Sequence, residues 1–249
     1  MNKLGIFVNF WQNKWAVDYR YYIDKIKKLN YDILEFQAQP LLEIPDDECR
    51  AIKRYADERE IELSYSLGLN PKYDVANADK DIRAGGIRYL CDIVRKIAVM
   101  GGELFSGVTF AGWGIPNHFV DEKEKENMLA RSVDSMQKVM KTAEKEGVTI
   151  CVEAVNRFES PLINTAEEAL LYTEFVNSPN IGVHLDTYHM NIEENNIGDA
   201  IRLVGKRLRH FHTGENNRNI PGRGHLDWDE IFLALKQIEY SRNIVSEPF

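Results

Sequence analysis

Along the chain, short apolar runs alternate with longer charged segments in which apolar positions recur every three or four residues. Runs of the first kind read as buried strands, and segments of the second as amphipathic helices. Eight strands are expected: LGIFVNF (4–10), DILEF (32–36), IELSYSL (61–67), GELFSGVTF (102–110), VTICVEAV (148–155), IGVHLD (181–186), LRHFHT (208–213) and NIVSEPF (243–249). Seven helices are expected between them, near 16–29, 46–59, 81–100, 121–146, 165–177, 197–206 and 228–239. The punctuation fits this register. Pro45-Asp46-Asp47, Asn164-Thr165 and Asp227-Trp228 have the composition of helix N-termini, and Gly147 that of a C-terminal stop. The charge run DEKEKEN (121–127) reads as the solvated start of the fourth helix, its acids favoured by the helix dipole.

Such alternation predicts a parallel sheet with helices packed outside it. Eight strands, seven helices and no Pro/Gly/Ser-rich linker predict one α/β domain over 1–249, a (β/α)8 TIM barrel. The sequence ends at Phe249, directly after the eighth strand, so the final C-terminal helix is expected to be lacking and a truncated barrel is one expectation. A doubly wound open sheet is the alternative, but GIFVNFWQN has no Gly-rich first turn for a nucleotide.

Composition narrows the function. With 249 residues, 44% of them hydrophobic, the chain can bury a sizeable core. A net charge of −8, with both signs interspersed, argues against nucleic acid as a partner. Cys49, Cys91 and Cys151 are too few and too far apart for a disulfide framework or a thiolate zinc site, which fits a reducing cytoplasm. No segment approaches the ~18 uninterrupted apolar residues of a membrane span. The apolar part of MNKLGIFVNFWQNKW is also too short for a signal peptide.

In a barrel the active site lies at the C-terminal ends of the strands. There the last four expected strands carry Glu153, Asp186, His212 and Glu247. Any one of them taken alone is an ordinary solvated position, but neighbouring strands bring all four toward one point. Three carboxylates that close repel one another unless a cation neutralises them. One imidazole with three carboxylates suits an octahedral Mn²⁺, Co²⁺ or Mg²⁺, with positions left for substrate oxygens. His184 and His210 share faces with Asp186 and His212 by two-residue alternation. They are expected one layer below, as groups that orient ligands or as satisfied core histidines.

The stretches EAVNRFE (153–159), LDTYHMNIEE (185–194), HFHTGENNRNIPGRG (210–224) and EPF (247–249) closely resemble the ketose 3-epimerases, the D-tagatose and D-allulose (D-psicose) 3-epimerase family of xylose-isomerase-like barrels. The resemblance runs over essentially the whole chain, including GIFVNFWQNKW and the AGWG turn at 111–114. It implies a Mn²⁺ or Co²⁺ ion held by Glu153, Asp186, His212 and Glu247. It implies that Glu159, His189 and Arg218 contact a small ketose near its carbonyl end, and that Trp15, Trp113 and Phe249 line the pocket. Phe7 falls where many relatives carry a tyrosine, so that position offers no hydroxyl to a sugar. Relatives of this kind form homodimers or homotetramers. The implied reaction is epimerisation of free ketohexoses (D-fructose/D-allulose, D-tagatose/D-sorbose) at C3 through a cis-enediolate, with Glu153 and Glu247 as the two bases.

Three other readings compete. Aldose–ketose or hydroxypyruvate isomerisation would use the same enediolate. A metal-dependent nuclease acting at abasic DNA shares the barrel, but the −8 charge disfavours it. A truncated, non-catalytic sugar-binding barrel is the third. Arg157 is the least informative charge of EAVNRFE, expected to pair with a neighbouring acid or to be solvated.

Overall fold

Eight parallel strands pair in chain order and the last pairs with the first, closing the sheet. This computed structural model describes residues 2–14, 16–116 and 120–249. The strands are β1 (Leu4–Phe7), β2 (Ile33–Gln37), β3 (Glu62–Gly68), β4 (Leu104–Val108), β5 (Thr149–Ala154), β6 (Ile181–Asp186), β7 (Leu208–Thr213) and β8 (Ile244–Ser246). Closure rests on the pairing of Leu4, Gly5 and Ile6 with Ile244, Val245 and Ser246. The architecture is therefore the TIM barrel, and the open doubly wound sheet is excluded.

Outside the strands, the described residues form α1 (Tyr19–Lys28), α2 (Asp46–Asp57), α3 (Lys80–Val99), α4 (Glu122–Glu146), α5 (Ala166–Val176), α6 (Thr187–Glu193), α7 (Ile197–Val204) and α8 (Trp228–Gln237). Each long helix turns an apolar stripe inward, as α1 does with Tyr19, Ile23 and Ile26. Asp121 accepts from the backbone N–H of Glu124 at the start of α4, Thr165 and Glu168 form a capping box on α5, and Asp227 caps α8. Pro45 opens α2 without a side-chain cap. None of the helices is long and apolar enough to cross a membrane.

The structure departs from the expected elements in three places. Among the described residues eight α-helices are present where seven were expected, because the chain passes from β6 straight into α6: Asp186 ends the strand and caps the helix, accepting from the Tyr188 N–H at 2.9 Å. Seven residues are too few to show a helical period, so this helix was hidden. The first expected strand runs too long, since Val8–Trp11 coil into a 3-10 turn that brings Asn9 and Trp11 to the barrel mouth. The eighth shortens to three residues. Pro248 has no N–H to continue the ladder, although the Glu247 N–H still donates to the Thr213 carbonyl at 3.0 Å. No helix follows β8, as the sequence led us to expect.

Two glycines make the backbone constraints testable. Gly107, in β4, has φ +105°, and a Cβ there would lie 2.4 Å from the Leu67 carbonyl oxygen of β3. Gly147 closes α4 at φ +73° with nothing within 4 Å. Gly147→Ala therefore costs only the left-handed conformation, about 1–2 kcal/mol. Gly107→Ala adds a backbone collision to strain of roughly 1–3 kcal/mol. Thermal unfolding should show the larger drop for Gly107→Ala, at roughly 2–4 °C per kcal/mol for a chain of this size. An equal or smaller drop than for Gly147→Ala would contradict this assignment.

Candidate active site

At the C-terminal ends of the strands the barrel opens into a cavity of about 740 Å³. Gln37, Ser66 and Val108 line one side, from β2, β3 and β4; Glu153, His189, Arg218 and Glu247 line the other. Phe7 sits at the end of β1, fully packed, with its ring edge-on to Phe249 at 6.2 Å. Trp113 and Phe249 also reach the cavity and remain partly open to solvent. Trp15 lies outside the described residues.

Glu153 on β5, Asp186 at the end of β6, His212 on β7 and Glu247 just past β8 each offer a ligand atom within 4.8 Å of the other three. Asp186 and His212 are wholly buried, and Glu153 and Glu247 nearly so. Their protonation is strongly biased. Burial, with Glu247 and Asp186 nearby, pushes the Glu153 carboxyl well above its ordinary range. Burial acts the same way on Glu247, but the facing His212 and Arg218 overcome it and hold that carboxyl low. His212 is raised, since Glu35 and Glu247 outweigh the cost of burying its charge. The donor set fits a hard divalent cation, with one imidazole and three carboxylates around a common centre. His212 Nδ1 supports that fit: it is buried without a hydrogen-bond partner, 3.4 Å from Glu247 Oε2.

Arg218 enters from the loop between β7 and α8. Its Nη1 donates to Asp186 Oδ2 at 2.7 Å and to Glu247 Oε2 at 2.9 Å, and its Nη2 lies 3.2 Å from His189 Nε2. The guanidinium stacks over Tyr188 at 4.1 Å, a contact suited to its flat cation. The residue pays for this pose with φ +61°. What holds the loop is Glu215, buried at its start. Its carboxylate accepts from Trp228 Nε1 at 2.6 Å and from the N–H groups of Gly222 and Leu226 at 2.7 and 3.3 Å.

The other wall is tied together through EAVNRFE. Glu159 accepts from Trp113 Nε1 at 2.9 Å and from Asn156 Nδ2 at 2.8 Å, and Asn156 also meets His189 Nδ1 at 2.7 Å. Trp113 can lie flat against the barrel because Gly68 has no Cβ, which would stand 2.7 Å from the indole. Arg157 pairs with Glu193 of α6 at 2.7 Å, the first of its two expected fates.

The described residues expected to bind metal, act as bases or contact a sugar thus surround one cavity or lie directly beneath it. His184 and His210 are wholly buried below the cluster, as expected. His210 Nε2 lies 2.8 Å from Glu35 Oε2, whereas neither nitrogen of His184 has a hydrogen-bond partner among the described residues. Sequence reasoning missed Glu35, Asn156 and Glu215. The signal for Glu35 was present, an acid inside the apolar run ILEF (33–36); Asn156 and Glu215 gave none, because their importance lies in the hydrogen bonds that the loops bring to them.

The chain is similar to known proteins over almost all of its length. The family model for xylose isomerase-like TIM barrels matches residues 23–249. The D-psicose 3-epimerase of Ruminiclostridium cellulolyticum is 40% identical over 99% of this chain and 84% of its own. That of Agrobacterium fabrum is 35% identical over 99% and 85%. The crystal structure of D-psicose 3-epimerase with D-tagatose from Clostridium cellulolyticum H10 superposes with a TM-score of 0.95, at 40% identity over 99% of this chain and 85% of that one.

The Glu215 loop yields a prediction in pH. Burial opposes ionisation of its carboxyl, but Trp228 and the loop N–H groups prevail and lower its pKa from the ordinary 4.5. A lowered folded pKa stabilises fully above the unfolded value, and that contribution is lost as pH falls through the folded one. Glu215→Gln should therefore lower the melting temperature near neutral pH, by the equivalent of about 1–3 kcal/mol. The gap from the parent should narrow as the pH drops from 5 toward 3, and a gap that stays constant with pH would contradict the assignment.

Proposed function

Because the chain belongs to the ketose 3-epimerase family of xylose isomerase-like TIM barrels, we propose that it inverts free ketohexoses at C3, interconverting pairs such as D-fructose and D-allulose or D-tagatose and D-sorbose. The observation that carries this reading is the pair of buried carboxylates, Glu153 and Glu247, that face one cavity from β5 and from beyond β8. Those strands stand three places apart around the barrel, so the two acids approach from different sides.

Epimerisation needs that arrangement. The C3 proton, α to the C2 carbonyl, leaves to a base on one face, and a proton returns to the resulting enediolate from an acid on the other. Glu153 and Glu247 fill these two roles, exchanging them with the direction of reaction. Glu153, Asp186, His212 and Glu247 would also hold a divalent ion, Mn²⁺ or Co²⁺ with Mg²⁺ as the alternative. When bound, that ion supplies Lewis acidity at the sugar's carbonyl and neighbouring hydroxyl oxygens. Arg218, His189 and Glu159 fix the hydroxyls near the carbonyl end by hydrogen bonds. Trp113, Phe7 and Phe249 present apolar rings to the C–H side of the sugar.

The same reading places the barrel over 1–249 as one domain in the cytoplasm, where its three buried thiols stay reduced. It also gives a homodimer or homotetramer. The exposed Leu171 and Phe175 of α5, Leu203 of α7, and Phe232 and Leu233 of α8 favour such an assembly, since a second copy would cover them.

Incubation with D-fructose, D-allulose or D-tagatose in D₂O tests the proposal. Mn²⁺-loaded protein should place deuterium at C3 as the epimer forms, and a chelator should stop it. Label at C1 with an aldose product would replace epimerisation by isomerisation, and no exchange with any ketose would remove both. Glu153→Gln and Glu247→Gln should each lower turnover by at least ~10²–10⁴-fold. Undiminished turnover in either would take that residue out of the two-base scheme.

A further inference from the structure

Glu35 is a buried acid that the proposed reaction leaves without a task. It stands mid-strand in β2, fully shielded from solvent, and its side chain crosses the barrel interior to β7, three strands away. Oε1 lies 2.7 Å from His212 Nε2 and Oε2 lies 2.8 Å from His210 Nε2, while Ser64 Oγ donates to Oε2 at 2.8 Å. An ionised carboxylate can only accept, so His212, the closer of the two rings, carries a proton on Nε2; His210 Nε2 stands 3.0 Å from that nitrogen as well as 2.8 Å from Oε2. When a cation displaces the second proton of His212, that leaves the lone pair on Nδ1. This is the nitrogen that faces the carboxylate cluster, unpartnered and 3.4 Å from Glu247 Oε2.

We propose that Glu35 is a positioning residue for the metal centre: by keeping the His212 proton on Nε2, it presents Nδ1 to the ion that Glu153, Asp186 and Glu247 would share. The inference rests on the reading of that cluster as a metal site. A carboxylate behind a ligating imidazole fixes the ring's tautomer and orientation and makes it a better donor. His210 and Ser64 both hold the carboxylate's other oxygen, Oε2. The amide introduced by Glu35→Gln has one accepting and one donating end, so it cannot serve both rings in the same way.

Mn²⁺ binding followed by electron paramagnetic resonance, on the parent, Glu35→Gln and Ser106→Ala, tests this. Ser106 is equally buried on β4 and touches neither histidine through its hydroxyl, which meets the Tyr65 carbonyl. Glu35→Gln should weaken Mn²⁺ by about 10–100-fold while remaining folded by circular dichroism, and Ser106→Ala should bind as the parent does. Nitrogen-15 NMR of the Mg²⁺-loaded parent supplies a readout that does not depend on the variant folding. It should show the His212 proton on Nε2. A proton on Nδ1, or parent-like Mn²⁺ affinity in folded Glu35→Gln, would overturn the inference. A parent that binds no Mn²⁺ would overturn the metal reading along with it.

Discussion

Like charges gathered out of water set the terms for this barrel. Two carboxylates 4 Å apart repel by about 4 kcal/mol at an effective dielectric of 20, and three of them share a space in which each lies within 4.8 Å of the others. The protein answers with Arg218, which bridges Asp186 and Glu247, with His212, and with a Glu153 carboxyl biased toward its neutral form. Each of these has its own support. Glu215 holds the loop that delivers Arg218 in a left-handed backbone conformation, and Tyr188 backs its guanidinium. Much of the hydrogen bonding above the strands exists to keep positive charge where the negative charge is.

The ionisable groups of the cavity lie on one half of the circle. From β5 onward the strands and their loops supply ionisable groups; β2, β3 and β4 offer Gln37, Ser66 and Val108 to the same cavity. A charged wall and a largely neutral one thus face each other across the cavity.

This division explains what could be read from the sequence. Glu153, Asp186 and His212 were legible because an ionisable residue at the close of an apolar run marks the C-terminal rim of the barrel, and parallel neighbours bring such residues together whatever course the loops take. Glu247 was legible by the same rule, although its strand proved shorter than its apolar run. The barrel itself followed from strict alternation of two periods. Glu35 was less legible: a strand walled on both sides reads as continuous apolar sequence, and one acid within it gives no sign of the histidines waiting on the opposite strand. Asn156 and Glu215 depend on loop geometry, which no period encodes. The helix of residues 187–193 hid behind the strand that feeds it.

Asp186 shows the consequence of that direct passage from strand to helix. One oxygen caps the helix that carries His189, and the other receives Arg218. A change at this position disturbs helix, arginine and neighbouring imidazole together, so its effects should be strongly epistatic with those at His189 and Arg218. Evolution or design can explore new sugars more freely at Gln37, Ser66 and Val108, where a side chain can change without unseating the charged wall.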